Sequence, residues 1–287
     1  MYKKPNIIAE IGCNHKGSID IAYELIKLAK KCNADVVKFQ KRNPKELLTD
    51  KQYNAPHPNI QHSYGNTYGE HRENLEFDYS QHYDIKQYCE SIGIEYSTSV
   101  WDVSSTKEIV KLNPNLIKIP SACNNNYGIL SLLLDEYEGD IHISLGMTKN
   151  IEKEKLIDYI NNSGHLNRVV FYICTSGYPV SFDDLCLLEI KKLITQLNGE
   201  AKGVGFSGHH LGIAADIAAY TLGAHWIERH FTKNRTWKGT DHAASLEPSG
   251  FSKLIRDLNA TKCALQYKPK DILDIEIPQY EKLKWKK

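Results

Sequence analysis

The stretch NIIAEIGCNHKGSIDIAYELIKLAKKCNADVVKFQ, residues 6–40, decides the fold class of this chain. Both of its ends are short runs rich in isoleucine or valine, which are typical of buried strands. The middle, residues 18–32, has apolar side chains at helical spacing. Those on the predicted buried face are Ile21, Leu25, Leu28 and Ala29. A strand, a helix and a second strand in this order predict one βαβ unit of a parallel sheet.

The same alternation of strand and helix continues along the chain. The predicted strands run from Asn6 to Gly12, Asp35 to Gln40, Ile94 to Ser99, Leu116 to Pro120, Ile141 to Gly146, Arg168 to Cys174, Lys202 to Gly208 and His225 to Phe231. The helical patterns lie at 18–32 and near 80–92, 104–112, 127–137, 151–162, 183–197, 212–222 and 249–265, with Ser18, Ser80 and Ser104 as predicted N-caps. Eight βα units favour a closed (β/α)8 TIM barrel in a single α/β domain, because closure leaves no unpaired sheet edge. An open doubly wound sheet is the alternative.

Residues 1–267 are predicted to form the barrel, and residues 268–287 a polar, lysine-rich tail. Within the barrel, residues 41–77 are rich in Pro, Asn, His and Tyr and join the second strand to its helix. A connection of this length in a compact domain is typical of a lid or a binding loop.

Charge and hydropathy exclude two classes of partner. The 36 Lys and Arg residues against 35 Asp and Glu give a net charge of +1, so no overall field attracts nucleic acid or an anionic membrane. No apolar run approaches the roughly 20 residues that span a bilayer, and the first residues show no secretory leader, so a cytoplasmic location is expected. The seven cysteines lack a C-x-x-C pair and are predicted to be reduced. Cys174 is expected to be a buried filler rather than a nucleophile.

Polar residues mark the carboxyl ends of the predicted strands, which is where a barrel of this kind has its active site. They are Glu10, Lys38, Thr98, Lys118 with Ser121, Ser144, Thr175 with Tyr178, Ser207 with His209, and Glu228 with His230. Two lysines and several serines that face one cavity suit a small anion carrying a phosphate and a carboxylate. The alternatives are lysines that reach solvent from the strand ends, and a lysine that forms a Schiff base.

The last two predicted strands each bring a histidine to this end of the barrel. His209 and His230 are therefore predicted to bind one divalent metal. Glu228 lies two residues before His230, on the same face of the strand, and Glu228 or Asp241 could bind the metal or deprotonate its water. The ligand set favours manganese, cobalt or zinc without selecting one. Glu10 could bind sugar hydroxyls or move a proton, and the alternative is a glutamate that pairs with a barrel lysine.

Eight sequence blocks lie at these predicted strand ends. They are IIAEIGCNHKGS (7–18), ADVVKFQKR (34–42), GNTYGEHRENLEF (65–77), IKIPSACNNN (117–126), ISLGM (143–147), CTSGYPV (174–180), GFSGHHLGIA (205–214) and IERHFTKNRTWKGTDHAASLEP (227–248). Together and in this order they resemble the N-acetylneuraminate (sialic acid) synthase family, including the animal sialic acid phosphate synthases.

The resemblance implies a transferase that condenses phosphoenolpyruvate with an open-chain N-acetylmannosamine-type or mannose-type sugar, releasing phosphate and forming a nonulosonic (sialic) acid. It implies that phosphoenolpyruvate is bound by Lys38, Lys118, Ser121, Ser144 and Ser207. It implies sugar contacts from Glu10, Thr98, Ser176, Tyr178 and Asp241, catalysis by Glu228, Glu10 and Asp241, and metal binding by His209 and His230. The implied metal is Mn2+, with Co2+, Mg2+ or Zn2+ as alternatives, and the implied assembly is a homodimer.

Two departures from the family bear on the acceptor sugar. Family members usually continue into a small antifreeze-like domain that supplies an arginine to the partner's sugar site, and this sequence stops where that domain would begin. A separate subunit could supply this arginine, or the acceptor sugar could lack the N-acetyl group. Ser176 stands where many bacterial relatives carry asparagine, and two blocks look closer to the animal-type subgroup, for which a 6-phosphorylated sugar is expected.

Rival functions stay open at this point. The nearest is a related synthase that makes a deaminated sialic, legionaminic or pseudaminic acid. The others are a Schiff-base aldolase that uses Lys118 and a catalytically silent sugar-binding barrel.

Overall fold

Eight parallel strands close into a barrel in chain order in the computed structural model of the protein, which describes residues 2–285. The strands are β1 Asn6–Gly12, β2 Val36–Lys41, β3 Glu95–Val100, β4 Leu116–Ile119, β5 Asp140–Ser144, β6 Val169–Cys174, β7 Gly203–Gly208 and β8 Trp226–His230. β8 pairs with β1 from Trp226 opposite Asn6 to His230 opposite Glu10, which closes the sheet. The predicted TIM barrel is therefore confirmed, and the open sheet is excluded.

Helices surround the barrel and follow the strands in turn. Those in the described chain are α1 Ile19–Lys31, α2 Pro44–Leu47, α3 Asp50–Asn54, α4 Tyr68–Glu73, α5 Tyr79–Ile92, α6 Val103–Leu112, α7 Tyr127–Glu136, α8 Asn150–Asn162, α9 Glu189–Leu197, α10 Ala214–Thr221, α11 Pro248–Ala264 and α12 Ile277–Leu283. The apolar faces of the longer helices pack against the outward-facing side chains of the strands in one core. This arrangement buries both faces of the sheet, as a parallel sheet requires.

Two predicted N-caps are wrong. Asp78 caps α5 and Asp102 caps α6, each with a carboxylate that accepts a backbone N–H of the first turn. Ser80 and Ser104 lie inside those first turns instead. A carboxylate suits this position because it also interacts favourably with the positive end of the helix dipole. Ser18 caps α1 as predicted.

Two helices differ in detail from the prediction. In α1 the buried face contains Ala22 and Ile26, whereas Ile21 and Leu28 are only partly buried. The helix after β6 starts at Glu189 rather than at 183, because Cys186 has a left-handed backbone conformation (φ 49°) that interrupts a helix.

The barrel interior changes from apolar to charged along the strands. At the amino-terminal side, a closed cluster is formed by Ile8, Val36, Leu116, Val170 and Tyr172. Two residues further along three of these strands, the inward positions carry Glu10, Lys38 and Lys118. Because successive side chains of a strand point to opposite faces, these charges lie directly above the apolar cluster. The alternation therefore places polar chemistry at the carboxyl ends of the strands.

The segment after β2 contains α2, α3 and α4 before α5 begins at Tyr79. The tail carries α12, which buries no residue. No helix within residues 2–285 is both long and apolar enough to cross a bilayer. The seven cysteines, all in that part of the chain, form no disulfide bond.

Buried histidines on the outer side of the barrel make the fold sensitive to acid. His82 in α5 is fully buried, with Nδ1 2.8 Å from the Tyr96 hydroxyl. Burial, together with the charges of Lys41 and His15, lowers the pKa of His82 from 6.5 to about 3. The unfolded chain therefore takes up a proton at His82 below about pH 6.5, whereas the folded protein does so only near about pH 3. Stability consequently falls as the pH is lowered through this window.

We expect His82→Asn, which keeps a polar atom near Tyr96, to weaken this pH dependence. The loss of stability between about pH 7 and about pH 5 should be smaller than in the wild type by about 2 kcal/mol, since each pH unit below the unfolded pKa contributes about 1.4 kcal/mol. Urea unfolding at both pH values measures the difference. His165→Asn, at a partly exposed position, is the control and should leave it unchanged. Identical pH dependence in His82→Asn and wild type would contradict the prediction.

Candidate active site

A cavity opens at the carboxyl ends of the strands, above the apolar cluster. Every strand contributes at least one side chain to its wall. Its lining includes the predicted residues Glu10, Lys38, Lys118, Ser121, Ser144, Ser176, Tyr178, Ser207, His209, Glu228 and His230. Barrel closure thus brings together side chains that are far apart in the sequence.

Buried ion pairs form the floor of the cavity. Lys118 Nζ lies 2.5 Å from Glu228 Oε1. Lys38 Nζ contacts Glu10 Oε2 and lies 3.7 Å from Glu228 Oε2. These four side chains are at most 6% exposed, so neither lysine reaches solvent from its strand end. The alternative of solvent-seeking lysines is therefore excluded.

The charges of this cluster stabilise one another. Burial would raise the pKa of Glu228, but Lys118, Lys38 and the Ser207 hydroxyl at 3.0 Å outweigh it and hold the pKa of that carboxyl well below 4.5. Burial would lower the pKa of Lys38, but Glu10 and Glu228 raise it above 10.5. At Lys118 burial prevails and, with Lys38 nearby, lowers the pKa below 10.5. Glu228 is thus ionised at neutral pH, and Lys118 is the more acidic of the two lysines.

Glu10 pairs with a barrel lysine, which was the alternative to a role with substrate. Its second oxygen accepts a hydrogen bond from Gln40 Nε2 at 2.9 Å. Gly12 adopts φ 54°, and a Cβ there would lie 3.1 Å from Gln40 Nε2, 3.2 Å from Glu10 Oε1 and 3.6 Å from His230 Cε1. The missing side chain therefore lets three groups from three strands converge.

Two of the three predicted phosphoenolpyruvate serines, Ser121 and Ser144, lie on the opposite wall, after β4 and at the end of β5, whereas the third, Ser207, donates to Glu228 in the floor. Ser121 Oγ accepts a hydrogen bond from the Gly146 amide at 3.0 Å. A Cβ on Gly146 would come within 2.5 Å of Ser176 Oγ and 2.7 Å of Ser121 Oγ. Glycine is needed here for the two hydroxyls to approach each other. With Ser144 at the end of β5, these hydroxyls and the lysines offer hydrogen-bond donors to one common space.

His209 and His230 face each other, with ring centroids 5.4 Å apart. The Thr175 carbonyl oxygen lies 3.1 Å from His209 Nδ1, so a proton on Nδ1 leaves Nε2 free to coordinate. Burial, with His230 nearby, lowers the pKa of His209 from 6.5 to about 3, so this ring is neutral, as a metal ligand must be. His230 Nδ1 is buried and has no hydrogen-bond partner in the described chain. The two rings fit a shared divalent cation.

The protein offers few ligands beyond these two. Within residues 2–285, no group of three or more His, Cys, Asp or Glu side chains is arranged to hold a metal ion. A cation between the histidines would take its remaining ligands from substrate and water, which is the open coordination that catalysis needs. His210 is not part of the pair, because its Nε2 lies 3.1 Å from Arg229 and 3.3 Å from Asp216 in the core.

The predicted residues that do not line the cavity are Thr175, Asp241 and Thr98. Thr98 faces away from the cavity. It is buried on the outer face of β3, the face that also carries Tyr96, and it does not line the cavity. The inward position is the next residue, Ser99, whose Oγ accepts a hydrogen bond from Lys38 Nζ at 2.8 Å. Two neighbouring small hydroxyl residues give no local signal of which one faces inward, because this depends on the pairing with β2.

Tyr178 and Asp241 lie at the rim. The Tyr178 ring is 4.3 Å from that of His209 and 5.9 Å from that of His230. Asp241 belongs to the loop after β8 and does not line the cavity. Burial would raise the pKa of its carboxyl, but His230 and a hydrogen bond from Thr240 hold this pKa below 3.8. Asp241 is therefore ionised near His230 without being part of the floor.

The cavity wall also contains residues that were not predicted from the sequence, among them Gln40, Trp101 and Met147. Gln40 had a detectable signal, because it lies two residues after Lys38 on the same face of β2. The other two lie in turns after β3 and β5, where periodicity gives no direction. Cys174 also lines the cavity, but burial raises the pKa of its thiol above 9.0, which opposes a nucleophilic role.

Comparison with known proteins gives concordant matches. The sequence model of the NeuB family matches residues 25–270. The N-acetylneuraminate-9-phosphate synthase of Homo sapiens is 37% identical over 280 residues, which cover 96% of this chain and 76% of that protein. The N,N'-diacetyllegionaminic acid synthase of Legionella pneumophila is 32% identical over 276 residues, with 95% and 76% covered. The crystal structure of an N-acetylneuraminic acid (sialic acid) synthetase from Leptospira borgpetersenii has a TM-score of 0.82 at 24% identity, covers 98% of this chain and 91% of that one, and has the same fold.

Proposed function

Because the chain belongs to the NeuB family, we propose that it is a transferase that condenses phosphoenolpyruvate with an N-acetylmannosamine-type or mannose-type sugar and releases phosphate. The product is a nonulosonic (sialic) acid. A related synthase for another keto-deoxy sugar acid is the alternative, since relatives named as legionaminic and pseudaminic acid synthases also match most of the chain.

The buried ion pairs beside the two histidines carry this proposal. Four ionisable side chains in the floor of one cavity are costly to bury, and such clusters are typical of functional sites. Phosphoenolpyruvate has a phosphate and a carboxylate. These two anionic groups can replace the glutamates as ion-pair partners of Lys38 and Lys118. Neutral donors for the same anion are Ser121, Ser144 and Ser207.

Bond formation requires the aldehyde carbon of the sugar beside C3 of phosphoenolpyruvate. A divalent cation held by His209 and His230 would polarise the aldehyde oxygen. The histidines fix that point at the ends of β7 and β8, while Lys38 and Lys118 fix phosphoenolpyruvate from β2 and β4. Holding both reactants in this geometry removes much of the entropic barrier.

Glu228 is proposed to act at C2. As C3 attacks the aldehyde carbon, the aldehyde C=O bond opens, its oxygen takes up a proton to become a hydroxyl, and positive charge develops at C2. Water then adds at C2 with loss of a proton, and the tetrahedral carbon loses phosphate to leave the 2-keto group. When the substrate anion draws Lys118 away, the pKa of the Glu228 carboxyl rises, so this group can accept the proton of the attacking water. Glu10, Ser176, Tyr178 and Asp241 are proposed to contact the sugar.

The identity of the metal, the assembly and the location stay predictions. Mn2+ is proposed, with Co2+, Mg2+ and Zn2+ as alternatives, because two imidazoles with open positions suit several cations. A homodimer is expected from the resemblance to the family, and a cytoplasmic location from the sequence pattern described above.

Phosphate release from phosphoenolpyruvate tests the proposed function. With Mn2+ we expect product with N-acetylmannosamine, mannose or one of their 6-phosphates, and none without an acceptor. EDTA should abolish the release, and added Mn2+ should restore it. Release without any acceptor would contradict the proposal, and failure with all four sugars would favour the related synthases.

A Schiff-base aldolase is the second candidate, because burial lowers the pKa of Lys118. Such an enzyme would be trapped covalently at Lys118 by borohydride with pyruvate and would be indifferent to EDTA. The ion pair with Glu228 at 2.5 Å opposes this function, since it stabilises the charged ammonium form. Mass spectrometry of the borohydride-treated protein distinguishes the two.

A further inference from the structure

An aromatic ring lies beneath Lys118 in the floor of the catalytic cavity. Lys118 Nζ is 4.4 Å from the centroid of the Tyr172 ring. Both residues are buried, with at most 3% of their surface exposed. A desolvated ammonium above the face of a ring is attracted by the negative charge of that face. Lys118 therefore contacts a neutral ring as well as the Glu228 carboxylate at 2.5 Å.

Contacts with two neighbouring strands fix the position of this ring. On β7, Gly205 pairs with Tyr172 in the sheet, and a Cβ on Gly205 would come within 2.5 Å of Tyr172 Cε1. On β5, His142 Nδ1 lies 2.9 Å from the Tyr172 hydroxyl. The missing side chain at Gly205 lets the ring lie against β7, and the histidine holds its hydroxyl end. The ring is thus a rigid support for Lys118.

The groups of this support add no charge that competes with Lys118. Burial, with Glu228 nearby, raises the pKa of the Tyr172 hydroxyl well above 10. Burial and the charge of Lys118 lower the pKa of His142 from 6.5 to about 3. Both side chains are therefore neutral at neutral pH, and the ring face attracts only the charged form of Lys118.

A substrate anion does not displace this ring. The anion that replaces Glu228 as the partner of Lys118 comes from the cavity, whereas the ring belongs to the apolar cluster below. The four-carbon stem of lysine is flexible, so the ammonium can turn from one anion to the other while it stays above the ring. A side chain that is held in place before the substrate arrives lowers the entropic cost of binding.

We propose that Tyr172 is a positioning residue for phosphoenolpyruvate, because its ring keeps the Lys118 ammonium in place while the substrate anion replaces Glu228. The inference rests on the proposed function, since it assumes phosphoenolpyruvate as the anion at Lys118. Tyr172 does not line the cavity, so it acts through Lys118 rather than on the substrate.

Tyr172→Leu and Tyr172→Phe test the inference, because phenylalanine keeps the ring and leucine does not. Tyr172→Leu should raise the KM for phosphoenolpyruvate by about tenfold. The kcat and the KM for the sugar should change by less than about threefold. Tyr172→Phe should bring the KM for phosphoenolpyruvate back to within about threefold of the wild type. Tyr220→Leu removes an equally buried tyrosine on α10, outside the barrel, and should leave all three parameters within about threefold.

Calorimetric titration with phosphoenolpyruvate separates the two proposals, because binding needs no turnover. Weaker binding by Tyr172→Leu but not by Tyr172→Phe supports the inference. Equal binding by Tyr172→Leu and wild type overturns it, as does equal weakening in both variants, which would assign the effect to the hydroxyl. Ring-dependent binding without phosphate release with any sugar would refute the proposed function alone. Absence of binding to the wild type would refute both.

Nuclear magnetic resonance observes the contact directly and needs no variant of Tyr172. The protein is labelled with carbon-13 at lysine Cε, and the Lys118 signal is identified by its absence from Lys118→Arg. Protons above a ring face resonate at high field, and the Lys118 signal should keep this shift when phosphoenolpyruvate is added. Loss of the shift on addition would show that Lys118 leaves the ring and would overturn the inference.

Discussion

Replacing Glu228 with glutamine is expected to lower the rate of phosphate release by about 10²- to 10⁴-fold. Glutamine keeps the shape of the side chain but has no charge and accepts no proton at neutral pH. The native carboxylate lies 2.5 Å from Lys118 Nζ and 3.7 Å from Lys38 Nζ, so the variant also leaves two buried ammonium groups short of one counter-charge. Removing one partner of a buried pair typically costs about 3–5 kcal/mol of stability. A lower thermal midpoint should therefore accompany the loss of rate.

The measurement is kcat and KM for phosphoenolpyruvate, together with the circular dichroism of the purified variant. Glu108→Gln is the matched control, because Glu108 pairs with Lys41 at 3.2 Å outside the cavity, and its rate should stay within about twofold. Should Glu228→Gln fail to fold, Ser207→Ala is the milder variant, because it removes the 3.0 Å hydrogen bond to Glu228 and one proposed phosphoenolpyruvate donor but no charge. It should slow release by about tenfold. A folded Glu228→Gln protein with the wild-type rate would contradict the role at C2.

Loss of either cavity histidine is expected to weaken metal binding and lower activity together. His209→Ala and His230→Ala should each weaken Mn2+ binding by at least about 100-fold, because each removes one of two protein ligands. Phosphate release should fall in parallel and recover in part at high Mn2+. Weak binding of phosphoenolpyruvate should persist, since Lys38 and Lys118 are unchanged.

Free Mn2+ is measured by electron paramagnetic resonance after treatment of the protein with chelator and titration with Mn2+. His165→Ala, at a partly exposed turn before β6, is the control and should bind Mn2+ as the wild type does. Unchanged Mn2+ affinity in both cavity variants would show that the histidines do not hold the metal. Loss of activity with intact Mn2+ binding would assign them a different role in the reaction.

The closed barrel brings the buried charges together and places them above an apolar cluster. Glu228 on β8 and Lys118 on β4 meet across the barrel axis, since three strands lie between β4 and β8 in either direction of the closed order. The apolar cluster beneath them keeps water out of the lower barrel. In a site with little water, each electrostatic interaction with substrate is stronger than it would be at the surface.

The amino-acid sequence alone was sufficient to predict the barrel fold and the types of residue at the carboxyl ends of its strands. Strands and helices depend on local periodicity, so every predicted strand end lies within two residues of the observed one. Strand periodicity also predicted which charged residues face the cavity. Examples are Lys38 and Lys118, which lie within apolar runs, and Glu228, which lies two residues before His230.

Only the tertiary structure decided which of these groups meet. The choice of Ser99 over Thr98 depends on the register of β3 against β2, and the pairing of Lys118 with Glu228 depends on barrel closure. A cavity lined by Arg42, Arg72 and Trp101 likewise depends on how the segment after β2 folds back against the end of β3. Strand register and barrel closure are set by contacts between residues distant in the chain. Local patterns of polarity therefore cannot predict either of them.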